Sequence, residues 1–249
     1  MGAGYAGASE AEVADRVAAA RGDATRVRLE GAHTLKHALR FGADIEVVAT
    51  DDRARLLALL ADLAPDVLDE VAARVVQLSP VRWHRLVPRP LPSPSLAVAV
   101  RPQVTVSEVL QAPGRILVLD HPRHLGNLGA AIRVAAAADA GGVLTLGAVD
   151  PWHPTALRAA AGLQFALPTT GAEALPATER PVVALDPGGT PLHEAPLPSD
   201  ALLLVGTERG GLSEGLLARA DQRRAIAMRA GVSSLNLATA VAVALYADR

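Results

Sequence analysis

Cysteine is absent from the 249 residues. Disulfides and thiolate metal sites are therefore excluded, and a reducing cytoplasm is the expected setting. No uninterrupted apolar run reaches about 18 residues, so no membrane span is expected. Residues 1–9 are small and uncharged until the first glutamate, without the basic start and apolar stretch of a secretory signal. Lysine is nearly missing: Lys36 is the only one, so positive charge rests on arginine. That bias, with the abundant alanine, fits genomic base composition rather than a function. The net charge of −2 does not advertise nucleic-acid binding, and such a ligand would need a local basic patch. The seven histidines show no close metal-ligand spacing beyond the weak pair His121/His124, and no metal is expected. What is present is a globular composition, 50% hydrophobic and 20% charged, long enough for one large domain or two ordinary ones.

The pattern changes along the chain. Residues 9–21 carry Val13 and Val17 one helical turn apart and read as an amphipathic helix. Helices are expected at 33–40, 53–63 and 67–73, and strands at 45–49, 75–78 and 96–100. Residues 88–94 hold four prolines in seven residues and must be a loop. After Gly114 the alternation becomes regular. Apolar strands are expected at 116–119, 143–146, 182–185, 202–205 and 225–228. Helices are expected at 127–140 (stopped by Gly141-Gly142), 155–161, 213–220 and 234–247, with a short one at 106–110. Short apolar strands alternating with helices indicate an α/β domain with a mostly parallel sheet covered on both faces. The division expected is an N-terminal extension and helix (1–24), a small domain (25–103), a linker (104–114) and a C-terminal domain (115–249).

Three segments of the C-terminal domain could carry chemistry. Asp120-His-Pro-Arg-His-Leu-Gly-Asn127-Leu-Gly-Ala-Ala-Ile-Arg133 follows a strand and opens a helix, where backbone amides can face an anion. Val205-Gly206-Thr-Glu208-Arg-Gly210-Gly211-Leu-Ser213 is a glycine-rich turn after an apolar strand, open to close approach of a ligand. Ile226-Ala-Met228-Arg-Ala-Gly231-Val-Ser233-Ser234-Leu235-Asn236 places apolar residues and hydroxyls before a helix. Each also has a plain structural reading. Asn127, Ser213, Ser233 or Ser234 can be helix caps, the apolar residues core, and Arg133 a solvated helix arginine.

In order, spacing and wording, the three together resemble the signature motifs of the SpoU (TrmH) family of the SPOUT superfamily, ribose 2′-O-methyltransferases acting on RNA. The resemblance covers residues 116–246, including Gly162, Phe165 and Pro168 between the motifs. More loosely, Arg28-Leu-Glu30-Gly31 and residues 94–99 resemble the family's small ribosomal-protein-like substrate-binding domain. It implies a deep trefoil knot in the C-terminal domain, a rare exception to the usual topology rules, and a homodimer whose partner completes the site. It implies S-adenosyl-L-methionine as cofactor, held at Val205, Gly206, Ile226, Met228 and Leu235. The polar catalytic set maps to Asn127, Arg133, Glu208, Ser234 and Asn236. The sequence departs from the family pattern in the longer turn at 121–126, in Ala227 for proline, in Leu237 for valine and in Ala161 before Gly162. None removes a polar candidate, so an active enzyme is expected.

The resemblance implies RNA as substrate, ribosomal rather than transfer RNA by analogy with members that carry such an N-terminal domain. Lys36, Arg40, Arg82, His84, Arg85, Arg89 and Arg101, with Arg123 and His124, are candidate RNA contacts, or a scatter of solvated charges. Trp83 could stack on a base or simply pack. In the family the arginine equivalent to Arg133 is cast as a base. A guanidinium resists deprotonation and suits orientation and charge stabilisation better. One rival is a dehydrogenase, disfavoured because no Gly-x-Gly-x-x-Gly with a later acidic partner is present. Another is a non-catalytic RNA-binding protein that keeps the fold.

Overall fold

The computed structural model describes residues 8–206 and 210–248. They form two compact units, 1–103 and 104–249.

Unit 1 contains α1 (Glu10–Ala19), β1 (Arg26–Glu30), α2 (Ala32–Arg40), β2 (Ile45–Thr50), α3 (Arg53–Leu63), α4 (Leu68–Arg74), β3 (Val75–Gln77), α5 (Pro80–Leu86) and β4 (Leu96–Val100). Its sheet runs β1-β4-β2-β3, with β4 antiparallel to β1 and β2, and β3 parallel to β2. The first helix is no extension. Ser9 and Glu12 form a reciprocal capping box at its start, and Val13 and Val17 are buried with Val47, Leu86 and Val98 in the core of this unit. Two elements had no expectation. Strand β1 alternates arginine with Val27 and Leu29, yet its Arg28 is only 9% exposed. Helix α5 follows Ser79 and opens on Pro80, proline being favoured in a helical first turn.

Unit 2 contains α6 (Val106–Gln111), β5 (Ile116–Asp120), α7 (Leu125–Ala137), β6 (Gly142–Leu146), α8 (Pro154–Ala159), β7 (Thr169–Ala172), β8 (Val182–Pro191), β9 (Leu202–Val205), α9 (Glu214–Ala218), β10 (Gln222–Ala225) and α10 (Leu237–Tyr246). All pairs of its six-stranded sheet, β10-β8-β9-β5-β6-β7, are parallel. Alternate residues serve opposite faces. Leu117, Leu119, Leu203 and Val205 pack with α7, α8 and α10. Ile116, Val118, Leu202 and Leu204 pack with α6 and α9. The stretch 104–114 is therefore part of the unit, with Val109 fully buried.

Several boundaries differ from expectation. Helix α7 ends at Ala137, and Asp139 rather than a glycine takes the left-handed turn (φ 44°). Gly141 instead meets the backbone of Pro113, whose carbonyl oxygen would lie 2.1 Å from any added Cβ. The last strand is 222–225 and not 225–228, so Ile226 and Met228 stand beyond its carboxyl end. Helix α10 starts at Leu237, three residues later than expected, and Asn236 is its cap rather than Ser233 or Ser234. Strand β7 was not foreseen. Among the described residues no helix is long and apolar enough to cross a membrane.

From β5 the chain adds β6 and β7 on one side, then returns to build β8, β9 and β10 on the other, with β9 next to β5. The order reverses between β5 and β9, the place where parallel sheets bind ligands beyond their carboxyl ends.

Candidate functional site

A cavity of about 390 Å³ opens beside this switch point, within the range of small-molecule sites. Its walls come from the ends of two strands, the middle of a third and the start of a helix. Val205 ends β9 and Gly206, Gly210 and Gly211 come after it, Ile226 and Met228 follow β10, and Ser233, Ser234 and Leu235 lead into α10, which Leu237 begins. All five residues expected to hold a cofactor line it, as does Ser234. Gly206 has a steric reason to be glycine: a Cβ there would lie 2.1 Å from the carbonyl carbon of Gly211 and 2.4 Å from the Leu212 nitrogen. Gly211 thus lies against the end of its own strand, and Gly210 and Gly211 stand in the wall.

The other polar candidates are divided. Asn236 caps α10, its Oδ1 accepting from the amides of Ala238 (3.0 Å) and Thr239 (3.4 Å). Its Nδ2 donates to Asn127 Oδ1 at 3.1 Å, so the first and third segments meet at one side-chain bond. Asn127 lies in the first turn of α7, whose cap position is taken by His124. Arg133, two turns along, is exposed and does not line the cavity. Among the described residues no side chain pairs with it. Glu208 lies outside the described residues. No group of three or more potential metal ligands occurs among the described residues.

Sequence reasoning missed two features. The third wall is Leu185, Asp186 and Pro187, in the bulge of β8 between its two stretches of parallel pairing with β10. Asp186 is the one charged side chain among the described lining residues, and its Oδ1 accepts from the Gly188 amide at 2.8 Å. An apolar strand ending in Asp-Pro-Gly-Gly was the available signal. The second is Asp120, 5% exposed at the end of β5. Its Oδ2 accepts from the Ser213 amide at 2.8 Å, and its Oδ1 lies 2.6 Å from His121 Nδ1. Burial raises the pKa of this carboxyl, but the hydrogen bonds from His121 and Ser213 outweigh it and hold it below the ordinary value. The carboxylate thereby ties the first segment to the glycine-rich turn. His121 takes a left-handed backbone (φ 45°), rare for a residue with a side chain, and turns the chain sharply after β5.

The expected basic patch of unit 1 is partly neutralised. Arg40 pairs with Asp66 at 2.6 Å and Arg82 with Glu10 at 3.2 Å. His84, Arg85 and Arg89 are exposed.

An uncharacterized tRNA/rRNA methyltransferase of Synechocystis is 35% identical over 142 residues, covering 53% of this chain and 52% of that protein. The chain thus spans about half the length of that relative. The 23S rRNA (guanosine(2553)-2′-O)-methyltransferase RlmP of Bacillus subtilis is 28% identical over 227 residues, 88% of this chain and 86% of that one. The solved SpoU methyltransferase AviRb from Streptomyces viridochromogenes, in complex with its cofactor AdoMet, shares the fold. It has a TM-score of 0.75 at 24% identity, over 94% of this chain and 95% of that chain. Residues 114–246, more than half of the sequence, match the SpoU rRNA Methylase family, and the chain belongs to that family.

Proposed function

We propose that this protein transfers a methyl group from S-adenosylmethionine to a ribose 2′-hydroxyl of ribosomal RNA. The observation that carries the reading is the cavity at the switch point, where Gly206, Ile226, Met228, Ser234 and Leu235 converge from separate segments. These residues fit the cofactor: Ile226, Met228 and Leu235 offer apolar walls for an adenine ring, and the bare backbone at Gly206 and Gly211 allows close approach. When bound, the cofactor supplies an electrophilic methyl on a sulfonium leaving group. The rest of the work is positioning by the chain, since attacking oxygen, methyl carbon and sulfur must lie in line. A 2′-hydroxyl is a weak nucleophile until its proton is accepted or polarised. A guanidinium resists deprotonation and offers a fork of donors, so Arg133 is given the role of orienting the hydroxyl and the adjacent phosphate rather than taking the proton. The Asn127–Asn236 bond fixes the mouth of α7 against the start of α10, and Ser234 faces the cavity as a substrate or cofactor contact. Glu208 belongs to the same polar set by its place in the second motif.

The working form is a homodimer. Arg133 does not reach the cavity of its own chain, which favours delivery across a symmetric interface. Ribosomal RNA is favoured over transfer RNA because the relative matched over most of this chain carries a 23S rRNA name. Calorimetric titration with S-adenosylmethionine, followed by mapping of 2′-O-methyl sites in RNA from cells with and without the gene, tests the reading. A folded protein that binds no cofactor, or an unchanged methylation map, would overturn it.

A further inference from the structure

A second cavity, of about 290 Å³, lies wholly in unit 1 and is lined by Asp51, Arg55, Trp83, His84 and the proline-rich loop at 88–94. We propose that it binds one unpaired nucleobase of single-stranded RNA, stacked on Trp83 and selected as guanine by Asp51. The proposal rests on the RNA reading above for the source of the ligand, and on the pocket for its chemistry.

The two tryptophans of the chain have opposite roles. Trp152 is 3% exposed, its indole N–H donates to the Thr169 carbonyl at 3.0 Å, and Phe165 stands edge-on to it with centroids 5.0 Å apart. Trp83 is only partly buried, packed against the core of its unit while it also lines the pocket. Among the described residues its N–H has no acceptor. A half-buried ring that lines a pocket and keeps an unspent donor is a platform for a base, because every nucleobase offers a π-face.

The pocket is built in advance. At the start of α5 the Ser79 amide donates to Glu10 Oε1 at 2.6 Å, and at its end the Leu86 carbonyl accepts from Arg21 (2.6 Å) and Arg28 (3.3 Å). The proline loop opposite is tied down by Thr50 Oγ1 donating to the Pro94 carbonyl (2.5 Å) and by the Ala32 amide donating to Ser93 Oγ (2.7 Å). Proline rings fix their own φ, so little ordering remains to be done on binding. Among the described residues the exposed Asp51 carboxylate has no partner. It is an acceptor only, and guanine is the base that offers two adjacent donors, N1–H and N2–H, to its two oxygens. Arg55 gives the phosphates of the flanking nucleotides a cation.

Because Trp152 is shielded, quenching of tryptophan fluorescence by a bound base reads Trp83. The full chain is titrated with uridine hexamers carrying one central guanosine or one central adenosine. The expected result is saturable quenching by both, at least fivefold tighter for guanosine, and absent in Trp83→Phe read through Trp152. Asp51→Asn, which leaves core packing untouched, should abolish the guanosine preference while keeping the quenching. No quenching by either oligomer overturns the pocket, and equal affinities unaffected by Asp51→Asn overturn its selectivity. S-adenosylmethionine titrated into the same samples separates the two proposals, since loss of cofactor binding would count against the methyl-transfer reading alone.

Discussion

Removing the Asp120 carboxylate should loosen the candidate site and destabilise unit 2 in a pH-dependent way. The group is 5% exposed and accepts from the Ser213 amide at 2.8 Å. A hydrogen bond to a charged group contributes about 1.5–3 kcal/mol. The bond to His121, whose side chain is 66% exposed, adds at most about 1 kcal/mol once solvent is counted. Asp120→Ala should therefore cost about 2–4 kcal/mol, a fall in melting temperature on the order of 5–15 °C for a unit of this size. Asp120→Asn keeps an acceptor for Ser213 but loses the charge, and should cost about 1 kcal/mol. The folded carboxyl titrates below its ordinary value. Its contribution is thus complete above the unfolded pKa, about 3.9, and lost as pH falls through the folded value. Denaturant unfolding, followed through the buried Trp152 in a Trp83→Phe background, reports unit 2. The gap between the parent and Asp120→Asn should be full at pH 7 and shrink as acidification takes the carboxyl down through its lowered folded value. Equal stability of Asp120→Ala and its parent at neutral pH, or a gap that widens on acidification, would refute the reasoning.

Gly206→Ala drives a Cβ to 2.1 Å from the Gly211 backbone. It should displace the cavity wall and weaken S-adenosylmethionine binding at least tenfold by calorimetry, with an overpacking cost of about 1–3 kcal/mol. Asn236→Ala removes the α10 cap and the bond to Asn127, and should cost about 1 kcal/mol in denaturant unfolding. Asn236→Asp should restore the cap but not the donor, leaving stability near the parent and methyl transfer still impaired. Arg133→Lys keeps the charge but not the fork of donors. Its turnover should fall at least tenfold on a folded protein with unchanged cofactor affinity, and near-normal turnover would remove Arg133 from the mechanism.

The strands at 116–120 and 202–205 could be read from the sequence because a parallel strand buried on both faces is an unbroken apolar run, whatever its neighbours are. The three glycine- and asparagine-bearing segments stood out for a related reason: small and polar residues directly after such runs mark the ligand end of the sheet. Periodicity reports burial and not partners, however. It could not choose Asn236 over Ser233 and Ser234 as the cap of α10, since all three are good caps and the choice follows from where the chain emerges from β10. It could not stop the last strand at Ala225, because Ile226 and Met228 are apolar in order to line a cavity rather than to fill a core. The wall from Leu185 to Pro187, the Asp120–Ser213 tie and the pairing of Asn127 with Asn236 join residues 93 and 109 apart where a bond is made. Such contacts exist only after the sheet has set its strand order. The sequence determined the α/β class and the segments that carry the chemistry. The tertiary structure decided which of their side chains meet, because that depends on strand order and on close backbone approach.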